Sequence, residues 1–243
     1  PSERGFNQYF GLVSGESHLF YTEDDGWQHR ILEGNKPAGK LPMTGTYTMN
    51  CLWEKGKEQS KAYPYTPNHG KTAPAYYATD GITDRAIRMI KETNDAGDQP
   101  YFLYMAHRAP HLPLQAPQEL VDKYMSRYEN FSKVEADRAA GLVREKLFPK
   151  DAAFRSEFGP NKKIPAERKK ELQLQYALHA AMVEKIDENV GKLVAALKET
   201  GELENTLIFY FSDNGAASHV GDMMNSPYYG SKARMWEGGT KTH

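Results

Sequence analysis

The sequence predicts an α/β fold, with a mostly parallel central sheet carrying helices on both faces. Three features point there: short continuous apolar runs at 101–106 (YFLYMA) and 206–211 (TLIFYF), and a long helical stripe between 172 and 197. A run apolar on both faces suits a strand covered on both sides, as in parallel sheets. Strand–loop–helix–strand order is that of layered α/β domains. The 243 residues fit one large domain or two small ones.

Residues 1–75 are punctuated by Gly, Pro and aromatics, which predicts loops and short strands, with 44–52 the best strand candidate. Asp24-Asp25-Gly26 reads as a turn rather than a carboxylate pair for a metal, because Asp-Gly favours turn geometry. Thr79 or Asp80 then caps a helix whose apolar face is Ile82, Ala86, Met89 and Ile90, and Gly97 and Pro100 end it. The run at 101–106 follows as a buried strand, and Pro110, Pro113 and Pro117 prevent a helix directly after it. Residues 125–170 are charged and of mixed sign, a region of peripheral helices and loops, with Arg168–Glu171 a solvated face. Leu172, Tyr176, Ala180, Val183, Ile186, Val190, Leu193 and Leu197 make the clearest helical stripe, closed by Gly201. The second buried strand, 206–211, ends abruptly in Ser212-Asp213-Asn214-Gly215.

Composition narrows the function classes. With 31 Lys+Arg against 32 Asp+Glu, the formal charge of -1 lacks the basic excess of a nucleic-acid binder. No apolar run approaches the roughly 18 residues that span a bilayer. One cysteine, Cys51, excludes an internal disulfide framework and a zinc site built on several thiolates.

Two polar clusters occupy equivalent places, each just after an apolar run: His107 and His111 after the first, Asp213 and Asn214 after the second. Ligands of open α/β sheets gather beyond the carboxyl ends of strands, so parallel neighbours would bring both clusters to one edge. Asp213 and Asn214 offer hard oxygen ligands suited to Ca²⁺ or Mg²⁺, or form a simple turn. Pro110 rules out the helix that a two-histidine zinc site at this spacing needs. An irregular loop can still present His107 or His111 to a site, or hold them structurally. Lys232 lies in a glycine-rich stretch, 230–239, where close backbone approach favours an anion, although a solvated lysine fits it too.

Five segments in order resemble the sulfatase family of the alkaline-phosphatase-like superfamily: 4–11 (RGFNQYFG), 101–117 (YFLYMAHRAPHLPLQAP), 182–191, 205–215 (ending SDNG) and 230–239 (GSKARMWEGG). The resemblance implies that Asp213 and Asn214 are metal ligands, for Ca²⁺ in preference to Mg²⁺. It implies that His111 contacts the sulfate and helps protonate the leaving oxygen, and that Lys232, five residues before Glu237, binds the sulfate. His107 lies in the matching stretch and is the candidate for substrate binding, whereas His18 fits a structural or surface role better than the substrate pocket. The implied substrate is a sulfated small molecule or polysaccharide, and the implied location is periplasmic, secreted or lysosomal.

Departures from the family pattern shape the expectation further. The family's nucleophile is a formylglycine made in a Cys/Ser-x-Pro-x-Arg motif, which these 243 residues lack; Cys51 is followed by Leu52-Trp53-Glu54. The early Asp-Asp metal pair is also missing, and Asp24-Asp25 falls on the wrong side of Arg4-Gly5-Phe6 to replace it. The chain therefore reads as a partial sulfatase catalytic domain over 1–243, incomplete on its N-terminal side. It comprises a loop-rich part (1–75), a helix–strand unit with the histidines (76–124), a variable charged insertion (125–170), and a helix, strand and anion loop (171–243). Such a piece is expected to be inactive alone, to bind calcium weakly and to self-associate through its incomplete sheet. A phosphoesterase or phosphonate hydrolase of the same superfamily, and a non-catalytic module that kept the fold, are the competing readings.

Overall fold

The computed structural model describes residues 4–12, 20–21, 31–39, 41–52, 72–97, 99–154, 164–217 and 225–241. His18, Asp24 and Asp25 lie outside them. The chain forms two compact units: residues 1–121 with 178–206, and residues 122–177 with 207–243.

Among the described residues, the first unit holds seven strands in two sheets. One is β1 (Phe10–Leu12), β3 (Ile31–Glu33) and β4 (Lys36–Pro37), in the order β1-β3-β4. Gly34, at φ 62°, turns the two-residue β3–β4 hairpin, where a left-handed residue matches the strand twist. The other is β2 (Phe20–Tyr21), β5 (Gly45–Leu52), β6 (Thr72–Tyr77) and β7 (Leu114–Pro117), in the order β2-β6-β5-β7. The strand expected at 44–52 is thus β5, and it pairs Gly45 with Ala75 and Cys51 with Gln115. Pro74 sits inside β6, but β2 reaches only Tyr76 and Tyr77, so its missing N–H breaks no ladder on that side.

Helix α1 (Ala78–Asp95) grows directly out of β6. Neither Thr79 nor Asp80 caps it, because Tyr77 is already extended in the sheet and the helix begins at Ala78. Asp80 is instead buried, and Asn189 donates to its Oδ1 at 2.7 Å, with the Lys185 and Lys192 ammonium groups at 3.2 and 3.4 Å. These three partners lie on α4 (Ala166–Glu199), so Asp80 pins α1 to the C-terminal half of that helix, within the first unit. The predicted stripe is largely inward: Leu172, Tyr176, Ile186 and Leu197 are buried, while Val183 is exposed. Gly201, at φ 76°, stops α4 with Glu202 N–H donating to the Leu197 carbonyl at 2.8 Å, as a left-handed helix cap requires.

In the second unit, α2 (Gln118–Met125), which begins in the first, leads through a short 3₁₀ turn, Ser126–Glu129, into α3 (Phe131–Arg144). Asn130 caps α3 by accepting from Lys133 N–H at 3.0 Å. Tyr128 and Phe131 pack on Tyr176 of α4, with ring centroids 5.5 and 5.8 Å apart. A last helix of four residues, α5 (Glu237–Thr240), closes the described chain.

Two expectations need correction. Residues 101–106 and 206–211 form no strand, and every strand pairing among the described residues is antiparallel, not parallel. The run at 206–211 is largely exposed, with Leu207 79% and Phe209 77% accessible, whereas 101–106 alternates half-buried and exposed residues, Phe102 at 78%. A strand buried on both sides must trade backbone hydrogen bonds with neighbours at both edges. Neither stretch pairs with a strand among the described residues, so apolar composition alone does not bury it. No helix of the described residues is long and apolar enough to cross a membrane.

Burial on α4 has an acid-stability consequence at His179, whose imidazole is pushed down to about 4 by loss of solvent. Its ordinary value is about 6.5, so between pH 6.5 and 4 the unfolded chain binds the extra proton. Stability from this group is full above pH 6.5 and falls as pH drops, by about 2 kcal/mol at pH 5. Urea midpoints measured at pH 7 and pH 5 should show that loss in the native chain and a smaller one in His179→Gln. Equal losses in the two proteins would contradict it.

Candidate active site

The loop after residue 211 is a tight polar turn. Ser212 Oγ donates to the Asn214 carbonyl at 2.9 Å, leaving the Asp213 carboxylate exposed and the Asn214 carboxamide half-buried. Two further bonds tie this turn to the glycine-rich stretch: Gly215 N–H donates to the Gly239 carbonyl at 3.2 Å, and Lys232 N–H to the Ala216 carbonyl at 3.0 Å. Gly238 N–H donates to the Tyr229 carbonyl at 2.8 Å, folding the stretch back on itself.

Glycine makes this knot possible. A Cβ on Gly215 would stand 1.8 Å from the Gly238 carbonyl oxygen, and one on Gly238 would stand 2.3 Å from that of Gly230. Those neighbours are backbone, which cannot swing aside as a side chain does. The knot therefore gathers three of the five residues expected from sequence, Asp213, Asn214 and Lys232, into one loop cluster of the second unit. Among the described residues no carboxylate pairs with Lys232, which leaves its ammonium available to an anion. Glu237, by contrast, is engaged by Lys241 at 2.9 Å, a hydrogen bond that raises the lysine above its ordinary range.

His107 and His111 belong to the first unit. His107 is the inward one: both ring nitrogens are buried without a hydrogen-bond partner. Burial lowers its pKa, partly offset by the Asp80 charge, so the ring is neutral at pH 7. His111 is exposed, and its Nδ1 lies 2.8 Å from the Leu112 carbonyl. A carbonyl only accepts, so Nδ1 carries the proton, and Nε2 is free to accept when the ring is neutral and to donate when it is an imidazolium. Arg108 donates to the same carbonyl at 2.6 Å, holding the turn.

As a cation site, Asp213 and Asn214 fit in kind but not in number. Calcium takes six to eight oxygens, and among the described residues no group of three or more His, Cys, Asp or Glu could hold a metal. Sequence reasoning also missed two polar contributors. Asn225 lies in the knot with its carboxamide hydrogen-bonded to Ala216 and Gly230, and its only signal is a turn-forming Asn-Ser-Pro. Asp80 has no local signal as a buried ion-pair centre, since its partners lie more than 100 residues away in sequence.

The Sulfatase family profile matches residues 1–242. An uncharacterised sulfatase of Schizosaccharomyces pombe is 30% identical over 228 residues, covering 87% of this chain and 40% of that protein. The arylsulfatase of Klebsiella aerogenes is 30% identical over 240 residues, covering 98% and 44% respectively. The solved structure of Ps i-CgsB in complex with k-i-k-neocarrahexaose superposes on the whole chain with a TM-score of 0.58 at 22% identity, and the chain covers 39% of it. That likeness shows a shared α/β fold. The chain spans less than half the length of each of these proteins.

Proposed function

The chain belongs to the sulfatase family of the alkaline-phosphatase-like superfamily, and from that premise we propose that it supplies part of a centre that hydrolyses sulfate monoesters to an alcohol and inorganic sulfate. The observation that supports this most is the knot joining the Asp213-Asn214 turn to Lys232 through the Ala216 carbonyl. It brings an aspartate, an asparagine and a lysine onto one loop cluster, residue types suited to a divalent cation and to an anion. In this reading Lys232 neutralises charge on the non-bridging oxygens. For His111, in the first unit, the resemblance supports the part of the proton donor, so that an alcohol leaves rather than an alkoxide. His107, neutral and inward, shapes the substrate side of that segment. Asp213 and Asn214 would hold a divalent cation, calcium in preference to magnesium, which supplies Lewis-acid charge stabilisation when bound.

The nucleophile, a formylglycine, and the remaining metal ligands then come from outside these 243 residues. The substrate class is a sulfated small molecule or polysaccharide. A second copy of the chain is the partner expected at the apolar runs 101–106 and 206–211.

Two preparations test this. 4-Nitrophenyl sulfate and 4-nitrophenyl phosphate are offered to this chain alone and to the chain continued by its coding sequence upstream of Pro1. Sulfate turnover by the longer protein only is the expected result, with concentration-dependent sedimentation of the short one. Faster phosphate hydrolysis would replace the sulfatase reading with a phosphoesterase. Robust turnover by the 243 residues alone would refute an external nucleophile.

A further inference from the structure

We propose that Asn225 is a positioning residue: its carboxamide locks the Lys232 loop onto the Asp213-Asn214 turn. The inference rests on the sulfate-binding reading of that cluster and deepens it.

The carboxamide has one acceptor and two donor hydrogens, and all three are directed at backbone. Oδ1 accepts from Ala216 N–H at 3.0 Å, while Nδ2 donates to the Ala216 carbonyl at 3.0 Å and the Gly230 carbonyl at 2.9 Å. The chemistry dictates this orientation, because an amide N–H needs an oxygen and two carbonyls need N–H groups. Asn225 thus holds both polar groups of the residue two beyond Asn214, and the carbonyl two before Lys232. Lys232 N–H donates to that same Ala216 carbonyl, so one side chain sets the spacing of both loops. Asn225 is itself held: the neighbouring Ser226 is buried and its carbonyl accepts from the Arg138 guanidinium of α3. Every hydrogen-bonding atom of its carboxamide is spent on backbone, so Asn225 acts through Lys232 rather than on substrate.

No other natural side chain repeats this pattern at the same length. Aspartate keeps the acceptor but turns a charged oxygen toward two carbonyls. Alanine leaves one N–H without its partner and removes the shared donor.

The test uses inorganic sulfate as the probe and this chain as the protein, in native form and as Asn225→Ala, Asn225→Asp, Lys232→Ala and the Asn225→Ala/Lys232→Ala double variant. Calorimetry should show sulfate binding weakened about tenfold by Asn225→Ala, with the double variant no weaker than Lys232→Ala alone. Asn225→Asp should regain affinity as pH falls toward 4, where a protonated carboxyl again donates; a general loss of structure would not recover on acidification. Amide exchange at Ala216 and Lys232 should accelerate in both Asn225 variants and stay unchanged at Leu197, in the first unit. Additive losses in the double variant, or unchanged exchange at Ala216 and Lys232, would overturn the proposal. If the native chain binds no sulfate, the sulfate reading of the cluster fails, and the exchange rates alone decide whether Asn225 locks the loops.

Discussion

Alanine in place of Gly215 is expected to cost the second unit about 3 kcal/mol and to open the site loop. The added methyl would stand 1.8 Å from the Gly238 carbonyl oxygen and 2.7 Å from its carbon, distances that no rotamer change relieves. Either the Gly215–Gly239 hydrogen bond breaks or the glycine-rich stretch moves as a body, and both uncouple Asp213 from Lys232. Denaturant unfolding gives the size of the loss, and amide exchange at Lys232 reports the opening. A matched control is Gly191→Ala, where the methyl meets open space on the exposed side of α4. There the change should stabilise by up to about 1 kcal/mol, through helix propensity alone. Similar destabilisation at both sites would mean that the knot has no special packing.

The second large effect is on turnover. In the upstream-extended protein, Lys232→Ala is expected to lower kcat/KM for 4-nitrophenyl sulfate by about 10²–10³-fold, the usual loss when a charge-stabilising donor is removed. Lys232 is half-buried and makes no ion pair among the described residues, so the thermal midpoint should barely change. Arg234→Ala removes an exposed cation two residues away and should change kcat/KM less than threefold, as an unspecific charge would. Equal effects at the two positions would reduce Lys232 to part of a diffuse basic surface.

Local features are legible in the sequence alone. The α1 face, the α4 stripe, its Gly201 stop and the strand at 44–52 are each written in a few neighbouring residues, and each forms. The runs at 101–106 and 206–211 mislead because apolar composition states a preference for burial, not whether neighbours are present to satisfy it. Antiparallel β7, between two prolines, carries no strand signal of its own; it is placed by pairing with β5 more than 60 residues earlier. At the site, Asp213, Asn214 and Lys232 are readable because their types and spacing carry chemistry. Asn225 is not, since all three of its bonds go to backbone, which no pattern of side chains reveals. The two histidines look alike in sequence and part in the fold: the His107 ring nitrogens are buried without a hydrogen-bond partner, and His111 is exposed on the Leu112 carbonyl.

The bond from Arg138 to the Ser226 carbonyl bears on how this protein can be engineered. Residues 125–170 look like the natural cassette to exchange when altering substrate preference, being charged, mixed in composition and broken by prolines. Yet α3 lies within that cassette and grips the turn beside Asn225. A graft that replaces the whole segment would therefore remove a brace of the anion loop along with the surface it meant to change. Grafting points should leave Phe131–Arg144 in place, with diversity confined to the residues after Arg144.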